Sequence, residues 1–352
     1  MRSSTRPQRG GESMTQARTR KWSIGRLAGL IAVLLAPGSV AAEGTAADPS
    51  RLTLERIFED KEFSIERYGP ARWLVDGSSY TTLEASPDFE DAKDIIRYDP
   101  STGDREVLVA AAALVPGEDV QPLTIDDYQW SDDGAQLLVF TNTEKVWRRN
   151  TRGDYWVLDL QNGTLEKLGG DTAESTMMFA KFSPDGSRVA WVDFEDKDLF
   201  VQNLATLEVT RLTHDDGEHI INGTTDWVYE EEFHLRDGFR WSPDGRHIAY
   251  WQFDSEGVGT FYLINNTDST YPELTPIPYP KVGTTNSACR VGIIPASGGD
   301  TTWFEPEGDP RMHYIPKMGW ADSSQEIWLI QLNRLQNTAH MMLGDISDGT
   351  LR

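Results

Sequence analysis

The stretch DWVYEEEF at residues 226–233 places three consecutive glutamates between bulky aromatic residues. Adjacent carboxylates repel one another, so a fold usually leaves such a run in contact with water. A bound cation relieves that repulsion. Two neighbouring carboxylates can also accept two charge-assisted hydrogen bonds from one ammonium group. From its residues alone, the run is either a solvated acidic turn or a binding site for a cation.

Other residue types with reactive side chains show no catalytic or metal-binding pattern. The single cysteine, Cys289, excludes an intrachain disulfide and a CxxC metal site, and it is predicted to be a small buried residue. His214 and His219 lie in a polar turn without HExxH spacing. No G-x-S-x-G motif occurs, and Ser183 and Ser242 lie in SPDG turns. We therefore predict no catalytic residue, no metal site and no cofactor within these residues.

Composition excludes one class of partner. The formal net charge of -23 at pH 7 would repel nucleic-acid phosphates, so nucleic-acid binding is not expected. A hydrophobic content of 38% with 12 tryptophans is sufficient for a packed core.

One hairpin pattern recurs along the chain and predicts the fold. It appears as YQWSDDGAQLLVF (128–140), AKFSPDGSRVAWV (180–192) and FRWSPDGRHIAYW (239–251), with weaker copies at 71–84 and 318–330. Each copy has an aromatic residue, a polar turn and alternating apolar residues, which is typical of a β-hairpin. Second hairpins follow at 94–109, 154–169 and 198–213.

Two hairpins per unit make a four-stranded antiparallel sheet, and the repetition of such sheets is typical of a β-propeller. We predict an all-β propeller with about five blades, and a string of separate β-sandwiches is the alternative. The wide gap between the copies at 239–251 and 318–330 predicts an insertion. Because the last strand-turn-strand has only begun at residue 352, we expect the chain to be truncated.

The N-terminus resembles a secretory signal. RTRKWSIGR is followed by the apolar LAGLIAVLLA and by small residues near Ala41 and Ala42. We predict a signal peptide at 1–42, with translation from Met1 or Met14, and the propeller at 43–352. The predicted location is periplasmic or extracellular, and bacterial because an exported chain lacks cysteine pairs. The alternatives are an uncleaved membrane anchor and a disordered tail.

The segment NGTTDWVYEEEFHLRDGFRWSPDGRHIAYWQFDSEGV, followed by PYPKVGTTN at 278–286, resembles the dipeptidyl peptidase IV family. The similarity extends over the repeats from residue 50 to 352. DWVYEEEF is specific to that family, whereas SPDG hairpins occur in many propellers. The resemblance implies an eight-bladed propeller followed by an α/β-hydrolase domain with a serine triad. The hydrolase domain is expected to be absent from this chain.

The resemblance also implies roles for the glutamates. In the family, the second and third glutamates of the run bind the free α-amino group of the peptide, and they correspond to Glu231 and Glu232. Glu230 corresponds to the first glutamate, which is not a principal ligand. Asp226 and Tyr229 are expected, with Trp227, to set the conformation of the run.

A second segment, TEKVWRRNTRGDYWVLDL at 143–160, carries the matching arginine. The family places an arginine directly after the tryptophan, where it contacts a substrate carbonyl, and this residue corresponds to Arg148. Arg149 and Arg152 are alternatives. A structural salt bridge to the glutamates is the competing interpretation of Arg148.

The resemblance implies a secreted serine dipeptidyl peptidase that releases N-terminal Xaa-Pro or Xaa-Ala dipeptides, of which this chain is the inactive propeller. Expected partners are peptides with a free N-terminus, a hydrolase domain of the same protein and a second copy in a homodimer. A non-catalytic propeller that binds peptides or proteins is the alternative. A third hypothesis is an oligopeptidase or acylaminoacyl peptidase, which generally lacks the glutamate run.

Overall fold

A computed structural model describes residues 50–65, 68–117, 121–215 and 217–352. The chain divides into two compact units, Met1–Glu66 and Arg67–Arg352. The described part of the first unit contains a short π-helix, Glu55–Glu59. The predicted signal peptide at 1–42 lies outside the described residues. Within the described ranges, no helix is long and apolar enough to cross a membrane.

The regular secondary structure in the described part of the second unit is almost entirely β-strand. The first twelve are β1 (Arg72–Trp73), β2 (Tyr80–Ala85), β3 (Lys93–Tyr98), β4 (Arg105–Val109), β5 (Asp127–Trp130), β6 (Gln136–Val146), β7 (Arg149–Asp159), β8 (Leu165–Lys167), β9 (Met177–Phe182), β10 (Arg188–Asp193), β11 (Leu199–Asn203) and β12 (Val209–Arg211). The others are β13 (Ile220–Asn222), β14 (Phe239–Trp241), β15 (His247–Asp254), β16 (Thr260–Asn265), β17 (Glu273–Pro278), β18 (Ala288–Pro295), β19 (Thr302–Phe304), β20 (His313–Trp320), β21 (Glu326–Asn333) and β22 (Ala339–Asp345). A 3-10 helix spans Ala111–Leu114, and one α-helix, α1, spans Trp227–Phe233.

The strands form five successive antiparallel blades. The first blade is β1–β4, the second β5–β8, and the third β9–β12. The fourth contains β13, β14, β15, β18 and β19, and the fifth contains β20–β22. All the pairs are antiparallel, as the repeated hairpins predict. The prediction of an all-β chain built from antiparallel blades is confirmed. The first three blades have four strands each, the fourth has five because β13 and β14 share one edge, and the described part of the fifth has three.

Turn chemistry explains why the hairpins form where the sequence predicts. In the second and third blades, Gly134 and Gly186 follow the aspartate of the turn with φ of 69° and 68°. This left-handed conformation is favourable only for glycine and a few other residues. In both turns a serine, Ser131 or Ser183, donates its hydroxyl hydrogen to the turn aspartate at 2.6 Å. These serines are structural, as expected.

The core lies between the faces of neighbouring blades. Val192 and Leu199 of the third blade pack with Ile248 of the fourth. On the other face of the fourth blade, Trp251 and Phe253 pack against the fifth. Each such buried side chain contributes about 1.5–3 kcal/mol relative to its exposure to water. The cysteine predicted to be buried, Cys289, is 2% exposed and belongs to the same core as Trp251.

Two insertions distinguish the fourth blade. The hairpin β16–β17 forms a separate two-stranded sheet between β15 and β18, which accounts for the wide gap in the repeat. The second insertion contains α1 and separates β13 from β14, although both of these strands pair with β15. Asn222 opposes Gln252, and Phe239 opposes Tyr250. The segment 223–238 is thus spliced into a single edge of the blade.

Two glycines close the neck of this spliced segment. Gly238 N–H donates to Gly223 C=O at 2.9 Å, and Gly223 N–H donates to Trp251 C=O at 3.0 Å. A Cβ on Gly238 would lie 2.8 Å from the carbonyl carbon of Gly223. The two backbones approach this closely only because Gly238 has no side chain. A Cβ on Gly223 would instead lie 2.7 Å from the Leu199 side chain and 2.8 Å from that of Val192.

Candidate functional site: a glutamate helix between two hairpins

The glutamate run forms a short α-helix, not the turn that its composition suggested. The Asp226 side chain caps its N-terminus by accepting a hydrogen bond from Tyr229 N–H at 3.0 Å. His234 ends the helix in the left-handed conformation. Burial raises the pKa of Asp226, while the N–H of Tyr229 acts in the opposite direction. The prediction that Asp226 sets the conformation of the run is consistent with this geometry.

Tyr229 fixes α1 against the fifth blade. Its ring is 1% exposed and packs edge-on against Phe253 and Phe233, with centroid distances of 4.5 and 5.2 Å. Its hydroxyl accepts a hydrogen bond from Ile315 N–H of β20 at 2.8 Å. The helix is therefore anchored on its buried side, and its glutamates are held on the opposite and lateral sides.

Successive residues of a helix point about 100° apart, so the three glutamates have different surroundings. Glu230 is buried, and Arg236 Nε donates to its Oε1 at 2.8 Å. Burial raises the pKa of the Glu230 carboxyl, although the charge of Arg236 opposes that shift. Glu230 is thus part of the support of the helix, in agreement with its expected secondary role.

Glu231 faces the second blade. Arg148 Nη1 lies 3.2 Å from Glu231 Oε1 and 3.3 Å from Oε2, so the guanidinium nitrogen spans the carboxylate. The arginine side chain is 67% exposed and the glutamate side chain 33% exposed. Both groups therefore remain accessible to a ligand, and the two sequence-predicted residues are brought into contact.

Glu232 faces the fifth blade. Gln336 Nε2 donates to Glu232 Oε2 at 3.4 Å, a long and therefore weak hydrogen bond. Among the described residues this is the one hydrogen bond or ion pair of the Glu232 carboxylate. Sequence reasoning did not find Gln336, because it lies about a hundred residues further along the chain and in no recognised motif.

Arg148 is positioned by the long hairpin β6–β7. The tip residue Trp147 adopts φ of 57°, and its ring meets that of Trp227 at a centroid distance of 5.2 Å. The Arg148 guanidinium carbon lies 5.6 Å from the Trp227 ring, a favourable cation–π distance. Tyr279 also contacts the Trp227 ring, at a centroid distance of 5.7 Å. Trp227 therefore links the hairpin tip, α1 and the β16–β17 insertion.

Arg152, an alternative to Arg148, is engaged elsewhere. Its guanidinium pairs with Glu144 of the same hairpin and donates to Ser175 C=O at 3.1 Å. It also lies over the Phe194 ring at 4.7 Å. The geometry therefore favours Arg148 over Arg152 as the arginine of the glutamate cluster.

The three glutamates of this cluster differ in their ion pairs. Glu230 pairs with Arg236 and Glu231 with Arg148, whereas the described partner of Glu232 is an uncharged amide. The charge of Arg149 also acts on Glu230, where it lowers the pKa of the carboxyl. The carboxylate that has no described ion pair is that of Glu232, which is therefore suited to accept a cationic group of a ligand.

The fold and the site together define a β-propeller that carries an acidic helix inserted into one blade. Residues 131–352 match the family model described as the dipeptidyl peptidase IV (DPP IV) N-terminal region. This match covers more than half of the chain, and the chain belongs to the dipeptidyl peptidase IV family.

Individual relatives agree with this assignment. The probable dipeptidyl-aminopeptidase B of Phaeosphaeria nodorum is 27% identical over 265 residues, which cover 71% of this chain and 29% of the relative. The prolyl endopeptidase FAP of Mus musculus is 28% identical over 332 residues, covering 91% and 40%. The crystal structure of Porphyromonas gingivalis dipeptidyl peptidase 4 superposes with a TM-score of 0.73 at 26% identity, covering 86% of this chain and 41% of that one. The chain therefore spans less than half the length of these relatives.

Proposed function

We propose that α1 and Arg148 anchor the free α-amino group of a peptide whose N-terminal dipeptide is released by a serine peptidase. The observation that carries this proposal is the placement of Glu231 and Glu232 on adjacent residues of a fixed helix, with accessible carboxylates and no described ion pair on Glu232.

The chemistry of the ligand supports this proposal. An α-amino group has a pKa near 8, so it is predominantly cationic at neutral pH. Glu231 and Glu232 would accept two of its three N–H donors as short charge-assisted hydrogen bonds. Because the helix is fixed to the fifth blade through Tyr229, the amine would be held at a constant distance from the bond to be cleaved. A peptidase that measures this distance releases dipeptides from the N-terminus.

We also propose the assembly in which this happens. The propeller would act together with an α/β-hydrolase domain that carries the serine triad, and Xaa-Pro and Xaa-Ala dipeptides would be the products. Export to the periplasm or the exterior, and homodimer formation, belong to the same proposal. The chain 1–352 by itself would be inactive. Hydrolysis of a Gly-Pro chromogenic amide by the pure chain would contradict that inactivity.

The amine site can be tested by titrating the chain with the Gly-Pro-Ala peptide as its C-terminal amide, which carries one positive charge, and with the uncharged N-acetylated form of that amide, with affinity measured by NMR or calorimetry. We expect binding of the free peptide and at least about tenfold weaker binding of the acetylated one, because the charge-assisted bonds are lost. Glu231→Gln and Glu232→Gln should each reduce binding of the free peptide. Glu208→Gln, at an exposed position of the third blade, is the matched control. Equal affinity for both peptides would contradict the proposal.

The same titration has an expected pH dependence. The ligand loses its charge as the pH rises through about 8, so affinity should fall across that range. Trimethylation of the peptide nitrogen fixes the charge but removes all three N–H donors. This ligand should therefore bind weakly at every pH, whereas binding that follows charge alone would contradict the hydrogen-bonded arrangement.

A further inference from the structure

Gln336 lies at the tip of the hairpin between β21 and β22, and the hairpin fixes its position. The Asn333 side chain accepts hydrogen bonds from Asn337 N–H and Thr338 N–H, both at 3.1 Å. Gln336 N–H itself donates to Asn333 C=O at 2.8 Å. The tip is therefore an ordered structure that presents one side chain towards α1.

The backbone of Gln336 adopts φ of 55°, in the left-handed region that favours glycine. A residue with a Cβ costs roughly 1 kcal/mol there. Glutamine occupies the position nevertheless, and its amide reaches Glu232. Glycine at this position could not make that contact.

The contribution follows from a comparison of the three glutamates. Glu230 and Glu231 each face an arginine, at 2.8 and 3.2 Å. Gln336 instead gives Glu232 an uncharged hydrogen-bond donor, at the longer distance of 3.4 Å. This weaker contact leaves the Glu232 carboxylate without an ion pair among the described residues, so its negative charge is open to a ligand.

We infer that Gln336 is a positioning residue that makes this site selective for a ligand with one positive charge. It holds Glu232 through an uncharged contact, so that the ligand ammonium supplies the missing cation. A cationic side chain at position 336 would occupy the carboxylate from within the protein and exclude the ligand. This inference rests on the proposed function, since it concerns the same amine site.

The inference can be tested by introducing a positive charge at the tip of this hairpin and measuring the affinity for the peptide. The Gln336→Lys variant carries an ammonium group that can reach Glu232, and we expect its affinity for the free Gly-Pro-Ala peptide to fall about tenfold or more. Leu335→Lys is the matched control, because it adds the same charge at the adjacent residue, which is 80% exposed and makes no described contact with Glu232. We expect a change of less than about threefold there, since an exposed charge is screened by solvent.

A pH-dependent variant separates the effect of charge from that of structure. Gln336→His is neutral above its pKa of about 6.5 and cationic below it. Between pH 7.2 and pH 5.5 the ligand stays cationic, so this variant should lose affinity more steeply than the wild type as the pH falls. A purely structural role for Gln336 would give parallel pH profiles.

The outcomes distinguish this inference from the proposed function. If the wild type prefers the free peptide to the acetylated one but Gln336→Lys binds as tightly as the wild type, the inference is wrong and the amine site stands. Parallel pH profiles for Gln336→His and the wild type would overturn it in the same way. If the wild type itself does not distinguish the two peptides, the proposed function fails. Circular dichroism melting curves of each variant establish that the fold is retained.

Discussion

At the scale of single residues, the three glutamates show how one side-chain type acquires different properties from its surroundings. Glu230 is buried beside Arg236, Glu231 is half-buried beside Arg148, and Glu232 faces an amide. Burial raises the pKa of Glu230, which means that desolvation of its charged form outweighs the attraction of Arg236. Adjacent residues thus have different roles: Glu230 stabilises α1, whereas Glu231 and Glu232 form the candidate ligand site.

The raised pKa of Glu230 predicts a specific pH dependence of stability. A carboxyl whose pKa is raised by folding stabilises the protein most when the pH is below its ordinary value of 4.5. That contribution is lost as the pH rises through 4.5 and then through the raised value. Glu230→Gln does not titrate and so does not show this loss. The free energy of unfolding of the variant minus that of the wild type should therefore increase as the pH rises from 4 to 7. Urea unfolding at several pH values measures the difference.

Arg236→Ala should behave oppositely to Glu230→Gln. It leaves a buried carboxylate without its ion pair, which we expect to destabilise the protein by about 2 kcal/mol at pH 7. The cost should shrink at acid pH, where Glu230 becomes protonated. A cost that does not depend on pH would show that Arg236 acts through packing alone.

The helix cap gives a third prediction. Asp226→Ala removes the acceptor for Tyr229 N–H and should reduce the free energy of unfolding by about 1 kcal/mol. Asp226→Asn keeps an acceptor without a charge, and burial raises the pKa of this carboxyl in any case. Asn should therefore be tolerated better than Ala. Chemical denaturation of both variants compares them directly, and equal losses would argue against the cap.

At the scale of elements, the long hairpin β6–β7 carries Arg148 and also joins two blades. One end of β7 pairs with β8, while Arg152 and Gly153 near its start pair with Met178 and Met177 of β9. The second and third blades therefore share one sheet. The hairpin that carries Arg148 is therefore paired with strands of both blades, β8 of the second and β9 of the third.

Gly153 marks the closest approach in this hairpin. A Cβ there would lie 2.5 Å from Phe140 Cε2 and 2.6 Å from Thr141 C=O. We expect Gly153→Ala to lower the free energy of unfolding by about 1–3 kcal/mol, because the packed ring and the strand must move apart. Gly259→Ala is the control, since its Cβ would meet only Tyr279 C=O at 4.0 Å. Thermal melting of both variants, with peptide affinity in parallel, tests whether the hairpin position also affects the site.

Local sequence chemistry predicted the hairpins but not α1. Asp-Gly turns and alternating apolar residues specify strand pairs at short range, and those strands are present. Helix α1 has only seven residues, too few for a helical period to be recognised beside its charged run. Its formation depends on the cap at Asp226 and on the docking of Tyr229 on β20, which are contacts made in the folded protein.

At the scale of the whole molecule, the site combines residues from three blades. Arg148 comes from the second, the glutamates from the fourth and Gln336 from the fifth. The resemblance of two motifs to a known family predicted Arg148 and the glutamates. Gln336 could not be predicted, because blade packing alone brings that hairpin tip to Glu232.

The net charge of -23 adds a long-range effect to this local site. An acidic surface attracts cationic peptides and raises their association rate, and salt screens this attraction. We expect the association rate of a free-amine peptide to fall as sodium chloride increases from about 20 to 300 mM, where the Debye length becomes shorter than about 10 Å. The N-acetylated peptide with an amidated C-terminus carries no charge and should show little change in stopped-flow measurements.

The neck at Gly223 and Gly238 has a consequence for how this surface can diversify. The ends of the spliced segment meet at Trp251 through backbone hydrogen bonds that involve no side chain of the segment. The blade edge is therefore closed by main-chain contacts, while the segment's own link to the core is the docking of Tyr229 on β20. Residues of the segment that do not pack on the core can then be exchanged, and a propeller with this neck can acquire a different ligand preference as long as the contact of Tyr229 with the core is kept.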